Sequence, residues 1–590
     1  EIDSHIYVWE GTLTDGSIPP YEGENGISWT TTGAGWFGAG IMSIQPVNMS
    51  NYEEGFLNFR IKIPSSVSFQ VGIIDAWGNQ SYVNFPSNQT TYGLARNDEW
   101  GQASIPISEI RGELIDLRML SYQFVILETN GTNCEFALDD IYWNGGTFEN
   151  SLGDLNQDNL IDILDIKYSH FKELITDDET GKEAIRYFKK LNCSKYIIAQ
   201  TTFTDAKFIT SFAKTFNKPI HLISFKEPRT GKRLRLNSLC GVNLAMHSLI
   251  KLKYKPEFSI FINNKLFEME KINNFLKNKK ILKNNTLKKI KNSKKKDDII
   301  FSKKKNLGLV GKRPDGFFTC DYDNREIEKK LNYSLKKIKL ETLFNISKNV
   351  STKDITKTKN QIKKDLKSVS KLNANELNKS ISIFHGLEKI KNDNKIDTFA
   401  IKCWPEMFTQ FGCASCGPMA MMNEKGVSSA CEADVLGSIS CDILNKINNR
   451  PSLLVDVVDC DPKTDTLVFW HCGLAPISMA KKNTASATVH SNRRKALLHD
   501  FAFRPGKITI FRVSKSENKL KFIVIKGEVL DKKNSFSGTS GVVRFQTNTY
   551  QKLVRLFTSG IEHHLAFTYG DVYSEIKKLS AQLNIPIYTT

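Results

Sequence analysis

Four polar side chains stand at or next to apolar runs in the second half of the chain: Glu432, Asp456, His471 and His563. The run 453–458 is short, rich in β-branched residues and almost wholly apolar, which predicts a strand buried on both faces. Asp456 lies inside this run, where a carboxylate must be paired or metal-bound. A second apolar run ends at His471, so an imidazole lies at a strand terminus. These positions predict a buried metal site.

The donor types narrow the choice of ion. Two carboxylates and one or two imidazoles suit a hard, six-coordinate divalent ion such as Mn²⁺ or Mg²⁺ better than a tetrahedral zinc site. A single histidine or aspartate near a strand end is more often a structural group than a ligand. Only the four residues together favour metal binding.

Length and charge divide the chain into parts. Its 590 residues predict roughly three to five domains. Residues 1–170 contain 6 basic and 23 acidic residues, whereas the remainder contains 76 and 40. Two pieces of opposite composition are therefore joined near residue 170.

Cysteine usage changes at the same place. Only Cys134 precedes residue 170, and the other ten cysteines follow without a paired framework. This pattern predicts a cytoplasmic-type, reduced segment for 172–590 and an extracellular-type segment for 1–171. Cys413-x-x-Cys416 has no partner pair at zinc-ligand spacing, so we expect buried or incidental thiols. The chain starts at Glu1 with neither Met nor a signal peptide and has no apolar run of transmembrane length, so we expect a mature or truncated product and no membrane partner.

Residues 1–150 alternate short strand-like runs with Gly, Asn, Ser and Pro clusters, which predicts an antiparallel β-sandwich. Trp36, Trp77 and Trp100 lie in or beside predicted loops, where aromatic rings can stack on sugar rings. Core packing is the alternative for these aromatic residues. The pattern and the ending FALDDIYWNGG resemble jelly-roll carbohydrate-binding modules, which implies a polysaccharide ligand.

The segment 151–171 contains GDLNQDNLIDILDI, whose oxygen donors have the spacing of a calcium loop. The predicted Ca²⁺ ligands are Asp154, Asn156, Asp158, the Leu160 carbonyl, Asp162 and Asp165. The segment resembles the first half of a dockerin, which implies a cohesin-like scaffold partner. A dockerin has two such loops and the second is absent here, so the sequence predicts one calcium ion and lacks half of the docking module.

Residues 172–590 change to alternating helix and strand patterns, which predict α/β layers. We expect an α/β domain at 172–255, a second at 256–440 with Lys/Asn-rich insertions, and a β-rich, barrel-like domain at 441–590. The segment 264–305 contains 15 lysines and 4 acidic residues. It lacks interleaved aromatics and any nucleic-acid motif, so a surface insertion is favoured over nucleic-acid binding.

Seven motifs from residue 400 onward resemble the L-fucose isomerase-like family: AIKCWPE, GVSSACEADVLGSIS, LLVDVVDCD, LVFWHCGLAP, RPGKITIFRV, GTSGVVRF and GIEHHLAFTYGD. KEPRTGKRLRLNSLCG, earlier in the chain, is similar to another family segment. The resemblance covers about 410 residues but lacks the family's N-terminal opening. A genuine fusion and an artificial join both fit, and the artificial join is slightly favoured.

The resemblance implies that Glu432 and Asp456 bind the metal and also form the acid/base pair. It implies that His563, rather than its neighbour His564, completes the site, and His471 matches an imidazole of related arabinose isomerases. In a strand the two neighbouring histidines would point to opposite faces. The resemblance suggests four substrate-binding residues: Arg229, Arg233, Trp404 and Trp470. Solvated loop positions for the arginines and core packing for the tryptophans are the alternatives.

The implied activity is interconversion of an aldose and a ketose, a small-sugar reaction in which a proton moves between adjacent carbons through an enediol. The family commonly assembles into trimers or hexamers, which implies a homo-oligomer. A competing hypothesis places the function in the sandwich and calcium loop, as a dockerin-bearing glycan-binding component of a secreted polysaccharide-degrading system with an inactive isomerase part. The sequence identifies neither the sugar nor which carboxylate is the base.

Overall fold

The computed structural model describes residues 4–21, 26–144, 169–262, 265–267, 269–276, 286–290 and 303–590. The chain divides into two compact units, Glu1–Tyr168 and Ser169–Thr590. The predicted calcium ligands Asp154, Asn156, Asp158, Leu160, Asp162 and Asp165 lie outside the described residues. Most of the Lys/Asn-rich segment 264–305 lies outside them too.

The first unit is a β-sandwich, as predicted. Its strands are β1 Ser4–Val8, β2 Leu13–Asp15, β3 Ile27–Thr31, β4 Phe37–Val47, β5 Phe56–Lys62, β6 Phe69–Asp75, β7 Gln80–Phe85, β8 Gly101–Pro106, β9 Leu120–Glu128 and β10 Glu135–Asn144, with the short helix α1 Ile107–Ile110. They form two five-stranded antiparallel sheets, in the orders β1-β4-β9-β6-β7 and β2-β3-β10-β5-β8. Alternating apolar residues such as Phe37, Phe59 and Phe136 are fully buried between the sheets.

The second unit opens with an α/β layer. Its elements are α2 Asp178–Lys189, β11 Tyr196–Gln200, α3 Lys207–Phe216, β12 Ile220–Phe225, α4 Ser238–Lys251, β13 Glu257–Ile262, β14 Lys265–Phe267 and α5 Met269–Leu276, followed by the short strand β15 Lys288–Lys289. Strands β11, β12 and β13 are parallel and β14 returns antiparallel. Asp177 caps α2 by accepting hydrogen bonds from the Glu179 and Thr180 amides.

A second parallel sheet follows in the order β17-β16-β18-β19. Its elements are β16 Lys305–Val310, α6 Asn324–Glu326, β17 Tyr333–Ile338, α7 Leu340–Lys348, α8 Thr352–Asp365, α9 Ala374–Asn394, β18 Thr398–Ile401, α10 Cys416–Glu424, β19 Ser429–Ala430 and α11 Val435–Asn448. Helix α8 is rich in lysine and largely solvated, with Ile362 its buried residue.

The remaining elements are β20 Leu453–Asp461, β21 Thr466–His471, β22 Ser486–Thr488, β23 Leu498–Ala502, β24 Gly506–Ser514, β25 Lys521–Val529, β26 Thr539–Phe545, α12 Thr549–Thr558, β27 His564–Tyr569, α13 Tyr573–Gln582 and β28 Ile587–Thr589. Six strands pair in a closed ring, β24-β25-β26-β21-β20-β27 and back to β24. The barrel-like prediction is confirmed. Strand β20 is buried on both faces over almost its whole length, as its composition predicts.

In the part of the chain that the structure describes, none of the helices has the length and apolar character needed to traverse a bilayer.

Candidate active site

Glu432 lies in the tight connection between β19 and α11. Glu432 and Ala433 both adopt left-handed backbone conformations, with φ of 57° and 54°. Non-glycine residues rarely adopt this conformation, and such strain is characteristic of functional sites. The connection is fixed because the Ala433 amide donates to the Ile401 carbonyl at 3.0 Å. The Asp434 side chain then caps α11 by accepting from the Gly437 amide at 2.8 Å.

Asp456 and the histidine pair come together through strand register. In the antiparallel pairing of β20 with its neighbours, Asp456 lies opposite His564 on β27 and opposite Trp470 on β21. His564 Nε2 lies 3.6 Å from Asp456 Oδ1 and 3.7 Å from Glu432 Oε2. All three side chains are buried. Sheet register and the loop before α11 therefore bring two carboxylates and an imidazole together.

His563 and His564 both face this site, so the expectation that they point to opposite faces is wrong. His563 precedes the first residue of β27 and is not bound by strand alternation. Its Nε2 lies 3.1 Å from Glu432 Oε2, and the two imidazole rings have centroids 3.9 Å apart. Glu432, His563 and His564 form one of the groups whose donor atoms are close enough to share an ion.

A buried ion-pair network of Asp434 and Arg512 fixes the orientation of the His564 ring. Its Nδ1 lies 2.9 Å from Asp434 Oδ2, and Arg512 contacts the same carboxylate through Nη1 at 2.7 Å and Nη2 at 3.1 Å. Burial raises the pKa of Asp434, but Arg512 and His564 outweigh this effect and hold the pKa well below its usual range. Because the ionised carboxylate can only accept, Nδ1 of His564 donates to it, and Nε2 is the ring nitrogen that faces Glu432 and Asp456.

The donor set fits a divalent ion. Asp456 Oδ1 is buried, yet it accepts no hydrogen bond from any described residue. Burial raises the pKa of Glu432, but the hydrogen bond and positive charge of His563, followed by the other two imidazoles, hold it below its usual value. A buried carboxylate oxygen without a donor is stabilised by a cation, and an oxygen-rich set with imidazole suits Mn²⁺ or Mg²⁺.

The tryptophans proposed to contact substrate lie near the histidines. Trp404 is half-buried and packs against Phe317 with ring centroids 5.5 Å apart, and Phe317 in turn lies 6.3 Å from His563. Trp470 is stacked parallel to His471 at 6.2 Å and donates through Nε1 to the Ser537 carbonyl. An aromatic wall formed by Phe203, Phe317 and Trp404 therefore borders His563.

The two arginines have different surroundings. Arg229 Nε forms an ion pair with the buried Asp459 at 2.5 Å, next to Thr466. Arg233 is exposed in the loop before α4. The structure therefore commits Arg229 to a carboxylate of β20 and places Arg233 on the surface, in line with the alternative of a solvated loop for Arg233.

Sequence reasoning missed most of the groups around the carboxylates. Asp434 and Arg512 stand in motifs that match the family segments, but nothing in their spacing predicts that they meet His564. Cys431 Sγ lies 2.9 Å from His471 Nε2, so His471 faces a thiol. Two features of the sequence point to these groups: the adjacent pair His563-His564, and Asp434 directly before an apolar helix, which is an N-cap pattern.

Comparison with known proteins finds a matching family model in each of the two units. The model for "Carbohydrate binding domain 30" matches residues 3–145, and the model for "L-fucose isomerase, C-terminal domain" matches residues 472–590. A sulfoquinovose isomerase of Priestia megaterium is 30% identical over 424 residues, which cover 70% of this chain and 89% of that protein. The chain belongs to the L-fucose isomerase-like family of sugar isomerases.

A second sulfoquinovose isomerase and one solved structure also match parts of the chain. A sulfoquinovose isomerase of Alkalicoccus urumqiensis is 27% identical over 388 residues, covering 65% of this chain and 84% of that protein. Among solved structures, the family 30 carbohydrate-binding module of a cellulosomal cellulase of Clostridium thermocellum matches with 17% identity and a TM-score of 0.21. The match covers 24% of this chain and 91% of the module. By the two family models and the curated relatives, a β-sandwich that matches a carbohydrate-binding family precedes an aldose–ketose isomerase part in this chain.

Proposed function

We propose that residues 169–590 form a metal-dependent aldose–ketose isomerase that transfers a proton through an enediol. The observation that carries this proposal is the convergence of Glu432, Asp456 and His564 in a buried site where Asp456 Oδ1 has no donor among the described residues. Two carboxylates at one site provide both an acid and a base, which this proton transfer requires.

Glu432, Asp456 and His564 would hold the ion, Mn²⁺ or Mg²⁺, with His563 hydrogen-bonded to Glu432. A bound divalent ion polarises a sugar carbonyl and stabilises negative charge on the enediolate oxygen. We choose His564 over His563 as the ligand because Asp434 orients its ring, an arrangement typical of metal-ligating histidines. His471, whose Nε2 faces Cys431, lies outside this ligand set.

The proton is moved by the carboxylates. One of Glu432 and Asp456 removes the proton from the carbon next to the carbonyl, and the other group returns a proton to the neighbouring carbon or shuttles the hydroxyl proton. His563 donates to Glu432 and keeps this carboxylate ionised. The aromatic wall of Phe203, Phe317 and Trp404 restricts water on one side of His563.

We propose a sulfonated hexose as the substrate class, because four matched relatives are named sulfoquinovose isomerases. The deciding experiment incubates the metal-free full chain with sulfoquinovose or L-fucose, with and without Mn²⁺, and follows ketose formation. Mn²⁺-dependent conversion of sulfoquinovose in preference to L-fucose supports the proposal. Conversion that is equally fast after metal removal contradicts the metal dependence, and conversion of L-fucose alone contradicts the substrate class.

Asp434→Asn is expected to weaken Mn²⁺ binding by about 10- to 100-fold, the usual effect of removing a partner that orients a metal-ligating histidine. The neutral amide no longer fixes Nδ1 of His564 as a donor, so its Nε2 is less often a ligand. Isothermal titration with Mn²⁺ measures the change. Asp571→Asn, at an exposed aspartate paired with Lys526, is the matched control. Equal Mn²⁺ affinity in Asp434→Asn and the parent chain would rule out the orienting role.

We further propose that the sandwich binds a polysaccharide through exposed aromatic residues. Trp77 is 72% exposed, whereas Trp100 is half-buried and meets the exposed Tyr21 edge-to-face at 5.9 Å. Arg60 lies 4.0 Å above the Tyr21 ring and pairs with Asp140. The cluster of Tyr21, Trp100 and Arg60 offers apolar rings beside a charged hydrogen-bonding group. This combination recognises a sugar face and its hydroxyl rim. Trp36 is half-buried, as Trp100 is.

Trp100→Ala is expected to weaken polysaccharide binding by about two- to tenfold, because an aromatic contact contributes about 0.5–1.5 kcal/mol beyond its buried area. Affinity electrophoresis of the full chain through gels containing soluble polysaccharides measures the effect. Leu114→Ala, at an exposed apolar side chain of the sandwich, serves as the control. Unchanged retardation of Trp100→Ala in every gel that retards the parent chain would remove Trp100 from the binding surface.

A further inference from the structure

A cluster of sulfur and imidazole ligands lies directly beside the carboxylates. Cys431 Sγ is 2.9 Å from His471 Nε2 and 3.6 Å from His564 Nε2. The donor atoms of these three residues all lie within 4.8 Å of one another, and the three side chains are buried. Cys431 immediately precedes Glu432 in the strained connection, so the thiol and the carboxylate approach His564 from neighbouring positions of one backbone segment.

We propose that Cys431, His471 and His564 form a second cation site, selective for a thiophilic ion such as Zn²⁺. The proposal rests on the proposed function only in that His564 serves both sites. A thiolate and two imidazoles are a zinc donor set, whereas the adjacent carboxylates suit a harder ion. Three protein ligands leave the fourth tetrahedral position open for water.

The distances are close to those that zinc requires. Typical Zn–S and Zn–N bonds in a tetrahedron place sulfur and nitrogen about 3.6 Å apart. The Cys431–His564 separation is 3.6 Å, and the Cys431–His471 separation of 2.9 Å must lengthen by about 0.7 Å to match that geometry. In the absence of an ion, the short separation is a hydrogen bond from Nε2–H of His471 to the Cys431 sulfur, because His471 Nδ1 already accepts from the Cys472 amide at 2.9 Å. Zinc binding releases the thiol proton and moves the imidazole proton from Nε2 to Nδ1, which gives up the hydrogen bond from the Cys472 amide.

The shared imidazole makes the two sites mutually exclusive. His564 Nε2 lies almost equally far from Cys431 Sγ, Asp456 Oδ1 and Glu432 Oε2, at 3.6, 3.6 and 3.7 Å. One imidazole lone pair coordinates one ion at a time, so an ion on the sulfur side withdraws His564 from the carboxylates. Zinc at this site is therefore an inhibitor that competes with the hard activating ion.

Cobalt provides a test that does not depend on activity, because a Co²⁺–thiolate bond gives a near-ultraviolet charge-transfer band. The reduced, metal-free full chain is titrated with Co²⁺ and then with Zn²⁺. We expect a band that Zn²⁺ abolishes, loss of the band in Cys431→Ser, and retention in Cys441→Ser. Cys441 is a matched control because it is also buried but lies within α11 beside Ser452.

His471→Ala is a second test in case Cys431→Ser does not fold. It is expected to lose or shift the same band. Glu432→Gln separates the two proposals, since it removes the proton-transfer carboxylate and leaves all three proposed zinc ligands. The band should persist in Glu432→Gln whether or not the parent chain isomerises sugars. A band that survives in folded Cys431→Ser overturns the assignment, as does a band lost only in Cys472→Ser, because Cys472 lies on the Nδ1 side of His471, at 3.3 Å, and pairs with Cys416 at 3.2 Å.

Zinc inhibition gives the second measurement. With Mn²⁺ at a fixed concentration, Cys431→Ser is expected to need at least about 10- to 100-fold more Zn²⁺ for half-inhibition. Loss of an outer-shell partner costs this factor in metal affinity, and loss of a direct ligand costs no less. An unchanged zinc inhibition constant in this variant would place inhibitory zinc elsewhere.

Discussion

Glu432→Gln is expected to lower kcat for isomerisation by at least about 10²- to 10⁴-fold, the range that a general acid–base group contributes. The amide has nearly the shape of the carboxylate but carries no charge, so it neither accepts a proton nor binds a hard cation well. His563 also loses its ionised partner at 3.1 Å. The measurement is ketose formation from sulfoquinovose at saturating Mn²⁺.

The same reaction in D₂O tests the route of the proton. An enediol mechanism exchanges the migrating proton with solvent at least partly, so product from the parent chain should contain deuterium on the carbon that receives it. Glu528→Gln, at an exposed glutamate of β25, is the matched control and should keep the parent rate. Parent-like turnover in a folded Glu432→Gln protein would refute the assignment of Glu432.

His564→Ala is expected to reduce Mn²⁺ affinity by more than about 100-fold, whereas His563→Ala should reduce it much less. A first-shell ligand contributes more than an outer-shell partner, whose loss costs about 10- to 100-fold. The prediction follows from Asp434, which fixes the His564 ring with its Nε2 toward both carboxylates. Titration calorimetry with Mn²⁺ on both variants and the parent chain decides between the two histidines.

The pair of variants provides its own control. Both substitutions remove one buried imidazole from adjacent positions, so a general loss of packing should affect them alike. If His563→Ala loses Mn²⁺ and His564→Ala keeps it, the ligand is the histidine that the sequence resemblance favoured. Near-ultraviolet circular dichroism confirms that each variant is folded.

Short-range sequence patterns were sufficient to predict much of this fold. The uniform apolar run of β20 predicted a strand buried on both faces, and alternating runs in residues 1–150 predicted the sandwich. Alternating helix and strand patterns after residue 172 predicted the α/β layers. These features depend on contacts that repeat every two to four residues, which a single sequence displays directly.

The candidate site was predictable in its residue types and only partly in its geometry. Glu432, Asp456 and the histidine pair were identified, but the orientation of His563 and His564 was not, because it depends on where β27 begins. The contacts of Asp434 with Arg512 and of Cys431 with His471 join residues 78 and 40 positions apart. Such pairings are set by how the ring of strands closes on the α/β layer, and no local pattern encodes them.

The ligands of the proposed site come from two structural layers. Glu432 stands between β19 of the parallel sheet and α11, whereas Asp456 and His564 belong to adjacent strands of the closed ring. An ion held by all three would act as a cross-link between these layers and would stabilise the folded chain by about 2.7 kcal/mol at a free concentration 100 times its dissociation constant. Cellular metal supply would then determine how long the folded enzyme persists as well as how fast it turns over.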